Sequence, residues 1–229
     1  MILGAPHRER GLVDGLDLSN EAFPFMAAAE TAVAGLPARV FRISFSGELA
    51  YEVAVPAADA LSVWSALLES GGRFDLRPYG LDALNTLRIE KGHVTNAELN
   101  GNTSADDLGM QRLLKKQGDF IGRALAQRPA LTSPERLQLV GVRPTARTHS
   151  LRNGSQLVAP EARNVSLGYV TSAAPSVEFD GWVGLALLSG GRQRLGQRLI
   201  ARSPVHHEDT EVQILSAHML DPENTRVRA

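Results

Sequence analysis

The sequence predicts an α+β protein, and three observations carry that prediction. Residues 23–55 hold short β-prone segments separated by glycine and proline. Residues 56–92 hold two segments with apolar side chains at helical spacing. Beyond residue 130 the pattern is β only, with a glycine every few residues.

Three strands are predicted first, at 25–33, 39–45 and 50–55, separated by Gly35-Leu36-Pro37 and by Ser46-Gly47-Glu48. Pro56 opens a helix in which Leu61, Trp64 and Leu68 recur at spacings of three and four, and Gly71-Gly72 closes it. Pro78 precedes a second helix, with Leu81, Leu84, Leu87 and Ile89 apolar and Gly92 at its end. Two shorter helices are expected at 104–116 and 119–127, with Ser104 and Asp119 as N-caps. Residues 128–136 carry two prolines and polar flanks and read as a linker. After it come β runs at 137–140, 156–158, 166–170, 182–188, 198–201 and 212–215, so a small barrel or sandwich is expected. The predicted domains are 1–130 and 131–229.

The chain has 229 residues, 43% hydrophobic and 21% charged, the balance of a globular protein. No run of 18 apolar residues suggests a membrane span, and the first ten residues lack the apolar stretch of a secretory signal. A cytoplasmic location is the expectation. There is no cysteine, which excludes disulfides and thiol catalysis by this chain. The formal net charge is -1, so no basic face demands nucleic acid. All but Lys91, Lys115 and Lys116 of the 24 basic residues are arginines, which suit fixed pairing with carboxylates or phosphates; a compositional bias is the plainer reading.

Few residues suggest chemistry on their own. Glu48 follows Gly47 at a hairpin end, where a carboxylate can accept two N–H bonds from an amidine-like edge; a solvated turn residue is the plainer alternative. Tyr51 and Glu52 follow on the next strand. Arg88, Glu90 and Lys91 lie at a helix end, where positive charge is favoured, and Glu90 could bridge to a strand-end arginine. Arg77 and Tyr79, just before that helix, suit capping and packing. Asp106 and Asp107 point about 100° apart on a helix and suit a first turn better than a metal. His206-His207 lacks the spacing of a zinc site and reads as a polar loop. No metal site is expected. No glycine-rich loop follows a strand with phosphate-binding spacing, so this chain is not expected to hold NAD, FAD or ATP by itself.

Four stretches taken together resemble the glycine-cleavage T-protein (aminomethyltransferase) family: Arg42 to Pro56 (RISFSGELAYEVAVP), Leu76 to Gly92 (LRPYGLDALNTLRIEKG), Asp106 to Gly109 and Lys116 to Arg123. The closer likeness is to the C-terminal region of heterotetrameric sarcosine oxidase alpha subunits. Gly92 to Gly101, Gly181 to Leu188 and the tail from Asp221 to Arg228 carry it.

The resemblance implies a truncated aminomethyltransferase folate-binding fold followed by a small β-barrel or sandwich. It also implies that an N-methyl amine is oxidised at a flavin on a partner subunit, and that tetrahydrofolate captures the one-carbon unit as methylene-tetrahydrofolate. Glu48 matches the family glutamate that contacts the pterin, and Tyr51, Arg88 and Glu90 match the sheet and wall around it. The family's first segment, with its catalytic aspartate and half of the folate cavity, is expected to lie outside this sequence, so the catalytic residue is unknown. Asp17, Asp59 and Asp75 are substitutes by type only. A chain supplying that segment and a flavin-bearing subunit are the expected partners, with flavin and NAD on those regions. Leu84 stands where T-proteins carry an arginine. A free-standing aminomethyltransferase and a non-catalytic assembly module are the alternatives.

Overall fold

The computed structural model describes residues 2–4, 12–114 and 118–228. Two compact units are present. One comprises residues 1–84 with 221–229, the other 85–220.

The first unit is built on a five-stranded antiparallel sheet. Its strands are β1 (Ile2–Gly4), β2 (Val13–Asp14), β3 (Ala28–Val33), β4 (Leu36–Phe41) and β5 (Ala50–Ala54), in the order β1-β5-β4-β3-β2. Ala34 and Gly35, both at positive φ (52° and 74°), form a two-residue turn that sets Val33 opposite Leu36. β4 therefore starts earlier than the glycine-proline punctuation predicts and contains Pro37. That proline is tolerated because the β4–β5 ladder ends at Arg39↔Ala54, so no strand needs its missing N–H. The strand also ends earlier, at Phe41, where the chain turns inward at the buried Arg42.

Val33, Ala38, Val40, Tyr51 and Val53 line one sheet face. Helix α1 (Ala60–Gly71) lays Val63 and Leu67 on it. The predicted stripe Leu61–Trp64–Leu68 is not the core face: Leu61 is 75% and Trp64 41% exposed. Two apolar stripes compete on this helix, and the sheet takes the one built on Val63 and Leu67. α1 runs into a 3-10 turn that closes at Asp75 (φ 56°), with Leu76 N–H bonded to Gly71 O at 3.1 Å. A side chain at Gly71 would collide with Leu76.

Helix α2 (Leu81–Lys91) crosses the division between the units. It closes as predicted at Gly92 (φ 83°), with His93 N–H on Arg88 O at 2.8 Å. Here a Cβ would also strike the backbone of Ala217, so glycine is required twice over.

The second unit is a closed antiparallel barrel of six strands: β6 (Leu137–Pro144), β7 (Gln156–Ala159), β8 (Ala162–Ser176), β9 (Gly181–Ser189), β10 (Arg198–Ser203) and β11 (Glu208–Leu215). β7 pairs back onto β10 through Leu157↔Ala201. The interior holds Val140, Val142, Leu157, Val170, Leu199 and Ile214, among others. β9 is buried on both faces. Ala186 and Leu188 point into the barrel, while Val183, Leu185 and Leu187 pack outside it with Ile89 and Leu108. This explains its continuous apolar run in place of alternation.

The expected helix at 104–116 is not formed. Residues 105–109 are turns, only Gln111–Leu114 is helical (α3), and residues 115–117 lie outside the described set. Ser104 and Asp107 bond reciprocally, backbone N–H to side-chain oxygen, so the capping signal is real but closes an isolated turn. The helix expected at 119–127 shrinks to α4 (Arg123–Ala126), and the linker contains a one-turn helix, α5 (Pro129–Thr132). Among the described residues no helix is long and apolar enough to cross a membrane.

Candidate functional site

In the first unit three loops meet around Glu48. The bend at 45–49 is fixed by Gly47 (φ 89°), whose N–H donates to Ser44 Oγ at 3.0 Å. Glu48 follows with 47% of its side chain exposed. Its Oε1 accepts a bond from Arg226 Nη1 at 2.7 Å, across 178 residues of sequence.

Arg226 is held by a turn of its own. Asp221 Oδ1 accepts from Thr225 N–H (2.8 Å) and Oγ1 (2.6 Å), and its Oδ2 accepts from Arg226 N–H (3.1 Å). Val227 is buried, and Asn20 Nδ2 donates to Arg228 O at 2.6 Å. The C-terminal turn is thus seated on the loop that carries Asn20.

Tyr51 lies behind Glu48, 2% exposed, with its hydroxyl donating to Leu18 O at 3.2 Å. Burial pushes its pKa up, against the opposing charge of Arg42. Its ring stacks on Phe23 at 6.3 Å, and Arg42 donates to Phe23 O at 2.9 Å. Tyr51 therefore supports the loop from within and presents no hydroxyl outward. A separate apolar groove of about 390 Å³ lies between α1 and the start of α2, lined by Trp64, Leu68, Leu76, Tyr79, Leu81 and Leu84 among others. Glu48 and Tyr51 lie outside its lining.

Arg88 and Glu90 belong to the second unit, and both are buried. The Arg88 guanidinium donates to Asn85 Oδ1 (2.9 Å), Glu98 Oε2 (3.3 Å) and Ser172 Oγ (2.7 Å). It also donates to His93 O, just past the helix end, at 3.3 Å, so all its partners are internal. Glu90 Oε1 accepts from Ser176 Oγ at 2.5 Å, where the sequence reading offers a strand-end arginine.

Glu98, which sequence reasoning missed, is the hub of this network and is fully buried. Burial alone would raise its pKa. Bonds from Ser172, Thr171 and the Thr95 N–H, with the charge of Arg88, outweigh that and hold it below the usual carboxylate range. Burial draws the Arg88 pKa down, against the pull of Glu98.

The aspartates are similarly tied. Asp107 is buried and binds Arg136, with Nη2–Oδ2 at 2.6 Å, so a specific partner replaces the expected helix-dipole role. Burial would raise its pKa, but Arg136 and Ser104 lower it. Asp106 pairs with Arg192. Of the candidate substitutes, Asp75 pairs with Arg77 and Asp17 Oδ1 accepts from Ser19 N–H. Asp59 makes no side-chain cap bond to α1. His206-His207 forms part of the β10–β11 loop. Among the described residues no group of three or more His, Asp or Glu side chains is gathered as a metal site would require.

Known proteins give this geometry a context. Residues 10–118 match the GCVT N-terminal domain, and residues 138–221 match the glycine cleavage T-protein C-terminal barrel domain. A sarcosine oxidase subunit alpha of Rhizobium meliloti is 44% identical over 217 residues, covering 92% of this chain and 22% of that protein. An aminomethyltransferase of Streptomyces avermitilis is 36% identical over 166 residues, covering 70% of this chain and 43% of that protein. The crystal structure of aminomethyltransferase T from Bartonella henselae superposes with a TM-score of 0.74 at 22% identity, over 89% of this chain and 54% of that one. The chain thus spans about a fifth of the sarcosine oxidase alpha subunit and about two fifths of the aminomethyltransferase. The sheet with its helices, the closed six-stranded barrel and the two matched domains lead to one conclusion: this chain belongs to the glycine-cleavage T-protein family.

Proposed function

We propose that this chain is the folate-binding part of a sarcosine oxidase-like enzyme. In this reading it captures the one-carbon unit of an oxidised N-methyl amine as methylene-tetrahydrofolate. The observation that carries the reading is Glu48, half-exposed at the rim of the sheet, on a Gly-Glu turn that resembles the family's. Oε1 is engaged by Arg226, and among the described residues no bond to Oε2 is present. That oxygen can accept an N–H from the edge of a reduced pterin, so the donor set fits the ligand. When bound, tetrahydrofolate supplies a nucleophilic nitrogen; the chain's part is to hold the ring and orient it, which is worth rate through proximity.

Tyr51 stiffens the loop behind the carboxylate. Arg88 and Glu90 act from within their own unit, as ties that keep the end of α2 in place. The proposed division follows residues 1–130 for folate and 131–229 for the barrel, with the C-terminal turn grouped with the sheet unit. Flavin or NAD would sit on other regions or on a flavin-bearing partner subunit. The high identity to a protein named as a subunit favours this assembly over a free-standing aminomethyltransferase.

Titration of the full chain with tetrahydrofolate, alone and with a flavin subunit, tests the reading. Binding is expected, and Glu48→Ala should abolish it. Equal binding by that variant would overturn the assignment. Product formed without any flavin partner would favour the transferase instead.

A further inference from the structure

The C-terminal turn carries Arg226 to the same carboxylate that the proposed ligand would use, and nothing in its local sequence requires this. Three independent ties seat the turn: the Asp221 bonds to Thr225 and Arg226, the buried Val227, and Asn20 on Arg228. Only Arg226 among these residues reaches Glu48, at 2.7 Å, and its side chain remains 41% exposed. A surface pair of this kind contributes little to stability, so holding an arginine there by three ties calls for a use other than stability.

We propose that Arg226 is a positioning and specificity residue for the Glu48 site; this rests on the folate reading above. Two consequences follow from the geometry. Engaging Oε1 fixes the carboxylate rotamer and directs Oε2 to the ligand, which removes an ordering cost from binding. The pair also carries no net charge. A lone Glu48 would attract any organic cation, including a methylammonium substrate present beside the folate. Paired with Arg226, the same oxygen selects a neutral N–H edge instead, because a cation would meet the guanidinium as well.

The test compares Arg226→Gln, Arg226→Lys and Glu48→Ala in the full chain, using tetrahydrofolate as ligand and guanidinium and methylammonium ions as competitors. Arg226→Gln should weaken tetrahydrofolate about ten-fold, the size of one charge-assisted bond. It should also make binding newly sensitive to both cations. Arg226→Lys keeps the charge and should restore resistance to cations. A merely structural role for the turn would weaken binding without changing cation sensitivity, and that result overturns the proposal. So does Arg226→Gln with unchanged affinity while Glu48→Ala abolishes binding. If Glu48→Ala binds normally, the folate reading itself fails, a separate outcome.

Discussion

Two ion pairs of the barrel unit and one of the sheet unit treat their carboxylates in opposite ways. In the barrel unit Arg88–Glu98 and Arg136–Asp107 bury their carboxylates, at 0% and 1% side-chain exposure, and surround them with further donors. In the sheet unit Glu48–Arg226 is nearly half exposed on both sides and joins two loops. A buried carboxylate with every acceptor site filled is architecture, because any exchange of partners strands a charge. A half-exposed one can exchange or add a partner at small cost. Burial thus separates structural carboxylates from available ones where residue type does not.

This contrast is open to attack, most strongly at the hub. Glu98→Ala leaves the Arg88 guanidinium buried without its carboxylate, and should cost about 3–5 kcal/mol in urea unfolding of the barrel unit. A loss under about 1 kcal/mol would mean that the network is not what holds this region. Next comes Asp107→Asn, expected to cost about 1–3 kcal/mol at neutral pH through the bonds to Arg136 and Ser104.

Acid sharpens the same point. Glu98 and Asp107 have folded pKa values depressed below their unfolded ones. Their contribution is present above the unfolded values, about pH 4, and is lost as pH falls through the folded ones. Melting temperature should therefore drop on acidification below about pH 4, and less steeply in Asp107→Asn. The smallest effect is expected at the exposed pair. Glu48→Ala should change stability by no more than about 1 kcal/mol while removing folate binding, a split readable by thermal melts beside titration.

Much of this fold is legible in the sequence where one signal stands alone. Gly92 ends its helix as the pattern says, and the β runs after residue 136 fall on β6 to β11. Legibility fails where two signals compete. On α1 the bulky Leu61 and Trp64 outweigh Val63 in any apolar count, yet the sheet selects Val63 and Leu67. Around Ser104 a genuine capping pair suggests a helix, but Asp107 is claimed by Arg136, and the chain turns instead. The site shows the same limit. Glu48 is visible through its turn, but its partner Arg226 lies 178 residues away, and no local pattern connects them. The tail from Asp221 to Arg228 is the signal that the sequence offers, as a likeness alone.

β9 has a last consequence. Ala186 and Leu187 are joined by one peptide bond, yet one belongs to the barrel interior and the other to the layer outside it. Coupling between substitutions follows shared packing neighbours and not chain adjacency. Changes at these two positions should therefore combine additively, as though far apart. Leu187 and Ile89, roughly a hundred residues apart in the chain, share one cluster and should compensate for each other.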